Sequence, residues 1–193
     1  MNHRPVATIS IILISFAVTL MAPIFDSSVY GVNGHPTEWL SFLPSEPFRH
    51  MGLSLVVSPF LHINFQHLIT NMIFLAPVAM MMERKKSGFF LILHFFLIHS
   101  QVLLLLVMVN FLFPIDGKAF LGSSHVILGL YTFWSLANKK YGMLFFALLV
   151  LSVGLWQSQS PLTLLAHALG FIVGIEILLL GRLRDKLRSK SSH

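Results

Sequence analysis

The chain has 193 residues, of which 55% are hydrophobic and only 10% charged, and its mean hydropathy is +0.80. Soluble domains carry about 25% charged residues, so an ordinary water-soluble protein is excluded. Cysteine is absent, which excludes disulfides, thiolate metal sites and a cysteine nucleophile. The formal net charge is +6 and the pI is about 10.0, a balance that nucleic-acid binders share.

A membrane-spanning helix needs about 20 mostly apolar residues. Six stretches are candidates: 5–25, 63–82, 88–113, 124–138, 141–156 and 161–181, followed by a basic tail at 182–193. The sequence therefore predicts an all-α membrane protein of six transmembrane helices in a single domain spanning 1–193. The fourth and fifth stretches are short, so at least one of them is expected to start below the membrane surface. The first stretch is too long for the apolar core of a cleavable signal peptide, and no A-x-A-like site follows it.

The first connection is long, from Asp26 to about His62, and holds Pro36, Pro44, Pro47 and Pro59, which break any continuous helix. Its apolar residues, Trp39, Leu40, Phe42, Leu43 and Phe48, place it in the interface rather than in water. Loops of this length are often functional.

Lys and Arg set the orientation. With the N-terminus inside, 11 of the 13 basic residues fall inside and only Arg49 and Lys118 fall outside. Four of the seven acids, Asp26, Glu38, Glu46 and Asp116, fall outside. This asymmetry accounts for the high pI and makes a nucleic-acid role unnecessary. The tail from Arg182 reads as a topology signal that can also touch anionic lipid.

Polar groups inside a membrane are functional candidates. At about 1.5 Å per residue, Ser124 and His167 each lie about 22 Å from the inside end of their helices. His67 and Asn71 lie about 24 Å and 18 Å from theirs. Four polar side chains from three helices thus share one layer. A serine attacks a carbonyl when a neighbouring histidine takes its proton, and histidine has a pKa suited to that task. His67 and Asn71 sit one turn apart on one face, as paired donors to an oxyanion would. Ser124 opens its helix, where free N–H groups favour an anion. The nearest acid on the His167 helix, Glu176, is nine residues away, so the pair would be a dyad and not a triad. His167, Gly170 and Gly174 share a face, and the G-x-x-x-G pair permits close approach of another helix. Gly129 on the fourth helix offers the matching small surface.

These residues resemble the rhomboid family of intramembrane serine proteases, over roughly 48–174. His62, His67 and Asn71 match its H-x4-H-x3-N pattern. Gly122-Ser123-Ser124 matches its G-x-S nucleophile motif, and His167 with Gly170 and Gly174 matches H-x-x-G-x-x-x-G. Glu83 matches a family position at the inside end of the second helix. The resemblance implies that Ser124 is the nucleophile and His167 the base. It also implies that His67, Asn71 and the Ser124 N–H form the oxyanion hole, and that His62 is structural. The long loop would be the membrane-embedded loop of the family, and the fifth helix its lateral gate. Substrates would be membrane-anchored proteins within the lipid bilayer, cut through an acyl-enzyme without metal or organic cofactor. The expected location is the bacterial inner membrane, with both termini cytoplasmic and the active site opening to the outside.

Two positions depart from the family pattern. His125 stands where glycine usually follows the serine, and Leu128 where an aromatic often packs on the catalytic histidine. His125 could block the nucleophile, carry a proton or donate to the oxyanion. The small size is similar to rhombosortases. Two rival readings remain: an inactive rhomboid-like protein that binds transmembrane clients, and a small transporter suggested by His94, His99 and Glu176. The transporter reading lacks the inverted repeat common in that class. His94 and His99 are five residues apart and do not form the i, i+4 pair of a zinc helix; they read as interhelical hydrogen bonds. Glu83 reads as a helix cap or an ion-pair partner.

Overall fold

The computed structural model describes residues 4–25, 40–114, 120–146, 148–149 and 161–191. Its helices are α1 (Val6–Phe25), the one-and-a-half-turn α2 (Leu53–Val57), α3 (Phe65–Lys85), α4 (Gly88–Leu112), α5 (Ser124–Ala137) and α6 (Pro161–Ser191). Residues 141–146 and 148–149 are also helical, and the rest of the predicted fifth helix lies outside the described residues. Among the described residues there is no strand, only an isolated antiparallel bridge between Phe42 and Phe120.

Three helices, α3, α4 and α6, are long and apolar enough to cross a membrane, and α1 contributes a shorter apolar run over Val6–Ala22. Each of the six predicted segments overlaps helical backbone among the described residues, but not all six have spanning length. With 14 residues, α5 is about 21 Å long, short of the roughly 30 Å hydrocarbon core. Position compensates for length: α5 packs against α3, α4 and α6, and 11 of its residues are buried. Its Ser, Thr and Tyr groups face protein rather than lipid, which removes the penalty of exposing them to hydrocarbon.

Several element ends correct the sequence reading. α3 starts at Phe65 rather than 63, because the side chain of Asn64 caps it by accepting from the His67 N–H at 2.8 Å. α6 does not end at 181: the basic tail continues the helix to Ser191. Beyond Gly181 the sequence holds no proline and is rich in Leu, Arg and Lys, all good helix formers.

The core is built from Leu75, Val78 and Met82 of α3, Leu91, Phe95, Ile98 and Leu106 of α4, Leu130 and Trp134 of α5, and Ala166 and Val173 of α6. At the opposite end of α3 from Asn64, Glu83 accepts hydrogen bonds from the N–H groups of Ala7 and Thr8 and from the Thr8 hydroxyl, at 2.8–2.9 Å. A carboxylate on the free N–H groups at the start of α1 satisfies them and complements the helix dipole. Glu83 is thus a helix cap, although the helix it caps is α1 and not its own.

The long first connection is described from Leu40 onward, so Trp39 lies outside the described residues. Leu40 and Phe42 are buried, while Phe48 and Met51 are exposed. The loop therefore packs one part of its apolar surface on the bundle and leaves another part outward. Its backbone is tied to the segment before α5: Phe42 and Phe120 exchange N–H···O bonds of 2.8 and 2.7 Å, and the Gly122 N–H donates to the Ser58 carbonyl at 2.9 Å.

The tightest contact is between α5 and α6. A Cβ on Gly170 would overlap the His125 carbonyl oxygen. One on Gly174 would lie 2.5 Å from the Gly129 carbonyl oxygen, and one on Gly129 would lie 2.9 Å from that of Gly170. Gly170→Ala should therefore destabilise the protein by about 1–3 kcal/mol through overpacking. Gly181→Ala, whose Cβ would meet nothing within 4 Å, should stabilise by up to about 1 kcal/mol through helix propensity. Unfolding in mixed micelles measures both, and equal effects would refute the contact.

Candidate active site

Four elements meet at the N-terminal end of α5. The turn that enters the helix needs Gly122, which has φ +96°, a region that L-residues with a Cβ avoid. Space demands glycine as well: a Cβ there would sit 3.1 Å from His67 Cε1 and 3.7 Å from both His67 Nε2 and Asn71 Nδ2. The tips of His67 and Asn71 on α3 thus press on the turn two residues before Ser124. Both come from the first two turns of α3 and face the same way because they are four residues apart.

Ser124 is the first residue of α5, and no side chain caps the helix. The N–H groups of its first turn are left for another acceptor. Ser124 is 8% exposed and His167, on α6, 7%. His167 stands three residues before Gly170, whose contact with the His125 carbonyl brings α6 against the start of α5. No hydrogen bond joins Ser124 to His167 among the described residues. Both ring nitrogens of His167 are buried without a hydrogen-bond partner, as are His67 Nδ1 and Asn71 Nδ2. In a folded protein such groups are normally paired. A cluster of them on two helices, α3 and α6, beside one serine is a place where a polar ligand would be bound.

His62 lies beneath this cluster. Its Nδ1 is 3.2 Å from the Phe60 carbonyl and 3.4 Å from Thr19 Oγ1, and its Nε2 is 3.5 Å from Ser123 Oγ. Its ring meets His67 edge-on at 5.2 Å. It therefore bridges α1, the long loop and the turn before Ser124.

His125 turns away from the cluster. It is fully buried, and its Nε2 is 3.0 Å from Nδ1 of His99 on α4. The interhelical bond expected of His99 is thus present, with His125 as its partner. His94 differs: its Nδ1 bonds the Phe90 carbonyl of its own helix, and its ring lies between Phe90 and Phe133. Glu176 is exposed on α6, against Ile172, Leu179, Leu180 and Leu183, and takes no part in the cluster. Among the described residues no group of three or more His, Asp or Glu could hold a metal ion.

Two features were not legible beforehand. The ties between the long loop and the Gly122 turn run through backbone groups, which carry no residue signature. The His99–His125 pair joins residues 26 apart; the only signal in the sequence was a histidine on each of two apolar helices.

The fold and this cluster define a helical membrane protein with a buried assembly of serine, histidine and amide groups. The chain belongs to the rhomboid family: the family model for the Rhomboid domain matches residues 49–184, well over half of the sequence. No curated protein matches the chain.

The glycine at the turn gives a direct check. Gly122→Ala should destabilise the protein by about 1–2 kcal/mol, since a non-glycine residue must be forced to positive φ. An unchanged unfolding midpoint in detergent would show that the turn is free to reshape.

Proposed function

We propose that this protein is a rhomboid-type intramembrane serine endopeptidase. The observation that carries the reading is the cluster of unpartnered polar groups on α3 and α6, around the serine that opens α5, in a chain of a family whose members are usually serine proteases. His167 removes the Ser124 proton as Oγ attacks the carbonyl carbon of a peptide bond. The oxyanion that forms is held by the Ser124 N–H, His67 and Asn71. His167 then gives the proton to the departing amine, which leaves an ester on Ser124. Water deprotonated by His167 opens that ester and restores the serine. The missing Ser124–His167 hydrogen bond is compatible with this, because such bonds are often long before substrate binds. Gly122, Gly129, Gly170 and Gly174 hold the backbones at the required distance, and His62 supports the turn.

In this reading the whole chain forms one membrane domain of six spans, with both termini on the cytoplasmic side of a bacterial inner membrane. The site opens to the other side. Substrates are membrane-anchored proteins cut in or near a transmembrane helix, delivered through the lipid bilayer. A branch devoted to C-terminal sorting signals, as in rhombosortases, is the narrower form of the same proposal.

A second reading rests on the unmade Ser124–His167 bond together with His125 in place of the usual glycine: an inactive relative that holds transmembrane clients without cutting them. A fluorescent fluorophosphonate separates the two. The wild type in detergent should label, and Ser124→Ala and His167→Ala should lose labelling by about a thousandfold or more. Cleavage of a reporter transmembrane substrate should be lost in parallel. A folded wild type that neither labels nor cleaves, yet co-purifies with clients after Ser124→Ala, would establish the inactive reading.

A further inference from the structure

We infer that His99 is a positioning residue for the Ser124 turn, acting through a chain of two imidazoles, His99 and His125, anchored on the long loop. The inference rests on Ser124 being the nucleophile.

The chain begins at the Leu55 carbonyl in α2, which lies 2.9 Å from His99 Nε2. A carbonyl only accepts, so His99 Nε2 carries the hydrogen. A neutral imidazole has one donor and one acceptor, so His99 Nδ1 is the acceptor. His125 Nε2, at 3.0 Å, must then donate to it. Two donors and two acceptors are matched in one direction, from the residue after Ser124 out to the loop, and His125 Nδ1, at the inner end of the chain, is left without a partner. Both rings are buried, His125 to 0% exposure and His99 to 1%, and buried hydrogen bonds left half-made are expensive.

His125 is gripped on both sides. Its ring is held by His99 and packs on Phe120 at 4.9 Å, while its main-chain carbonyl meets Gly170 of α6. Gly170 is one turn beyond His167. The residue that replaces the usual glycine thus joins α4, α5, α6 and the loop at the position directly after Ser124. Its neighbours are tied to the same loop, through Phe42 to Phe120 and through Ser58 to Gly122. The imidazole chain supplies the tie on the far side of Ser124, so the serine is anchored from both directions. Attack on a carbonyl is sensitive to displacements of about 1 Å, so a shift of the His125 ring should be felt at Ser124.

The test compares His99→Leu with His99→Gln. Leucine fills the space without a donor or acceptor, whereas the carboxamide of glutamine offers one of each. The rate of fluorophosphonate labelling is measured against probe concentration, so that the maximal rate and the half-saturating concentration are separated. His99→Leu should lower the maximal rate by about tenfold, with little change in half-saturation, and His99→Gln should recover to within about threefold of wild type. Equal rates in His99→Leu and wild type would overturn the inference. So would a glutamine variant as slow as the leucine variant at an unchanged melting temperature, because shape alone would then explain the loss.

Nitrogen-15 spectra of the histidine rings in the wild type, near about pH 8 where neutral imidazole prevails, give a readout independent of hydrolysis. His99 and His125, assigned from single-site variants, should each carry their hydrogen on Nε2. Any other tautomer overturns the chain. A wild type that fails to label would remove the reading of Ser124 as nucleophile, and the tautomers would still decide the imidazole chain. If His99→Leu does not fold, the glutamine variant and the spectra decide the matter.

Discussion

Inside a bilayer two apolar helices gain nothing by leaving lipid for each other, because lipid tails are as apolar as leucine. What draws them together is close van der Waals contact, and that needs surfaces without side chains. Gly129 on α5 and Gly170 and Gly174 on α6 provide such surfaces, and each backbone carbonyl fills the space a Cβ would have taken. Everything at the candidate site depends on this seam. It brings the helix of His167 against the helix of Ser124, and it lets the short α5 sit in the middle of the bundle, where its hydroxyls and its uncapped N-terminus are shielded from lipid.

Around the seam the polar groups divide into two kinds. Those that are satisfied hold the scaffold together. Glu83 closes the N-terminus of α1, His62 joins α1 to the Ser123 turn, and His99 joins the loop to α5. Of those that are unsatisfied, His67, Asn71 and His167 lie around Ser124, while others, such as Gln101, Trp134 and Ser135, lie elsewhere in the bundle. Unpaired buried polar groups destabilise a fold, and a group of them beside one serine fits a site whose partners arrive with a ligand. Stability is supplied elsewhere, by the apolar core of α3 to α6 and by the loop that is tied down by backbone bonds.

The loop illustrates how such a site is built without many conspicuous residues. Its ties to the turn are the Phe42–Phe120 bridge and the Ser58–Gly122 bond. Irregular backbone is tolerated at membrane depth only where its hydrogen bonds are made within protein, and here they are made to the segment that leads into the serine. A loop and a helix start that must each satisfy their backbones do so mutually. The loop is therefore part of the frame of the site.

Much of this protein can be read from residue order. Apolar runs, basic clusters and the spacings of His62, His67 and Asn71, of Gly122 and Ser124, and of His167, Gly170 and Gly174 are local patterns. Local patterns determine helices, their faces and the depth of each polar group, because helix geometry converts sequence distance into position. That is why the glycine faces and the family were legible, and why four candidate polar residues could be singled out by depth. Other features depended on contacts between distant segments. The carboxylate of Glu83 caps α1 rather than its own helix, His125 faces His99 rather than the serine, and His94 turns back on its own helix. Side-chain direction between packed helices is set by which neighbours leave room and which offer a matching donor or acceptor, and only the assembled bundle specifies that.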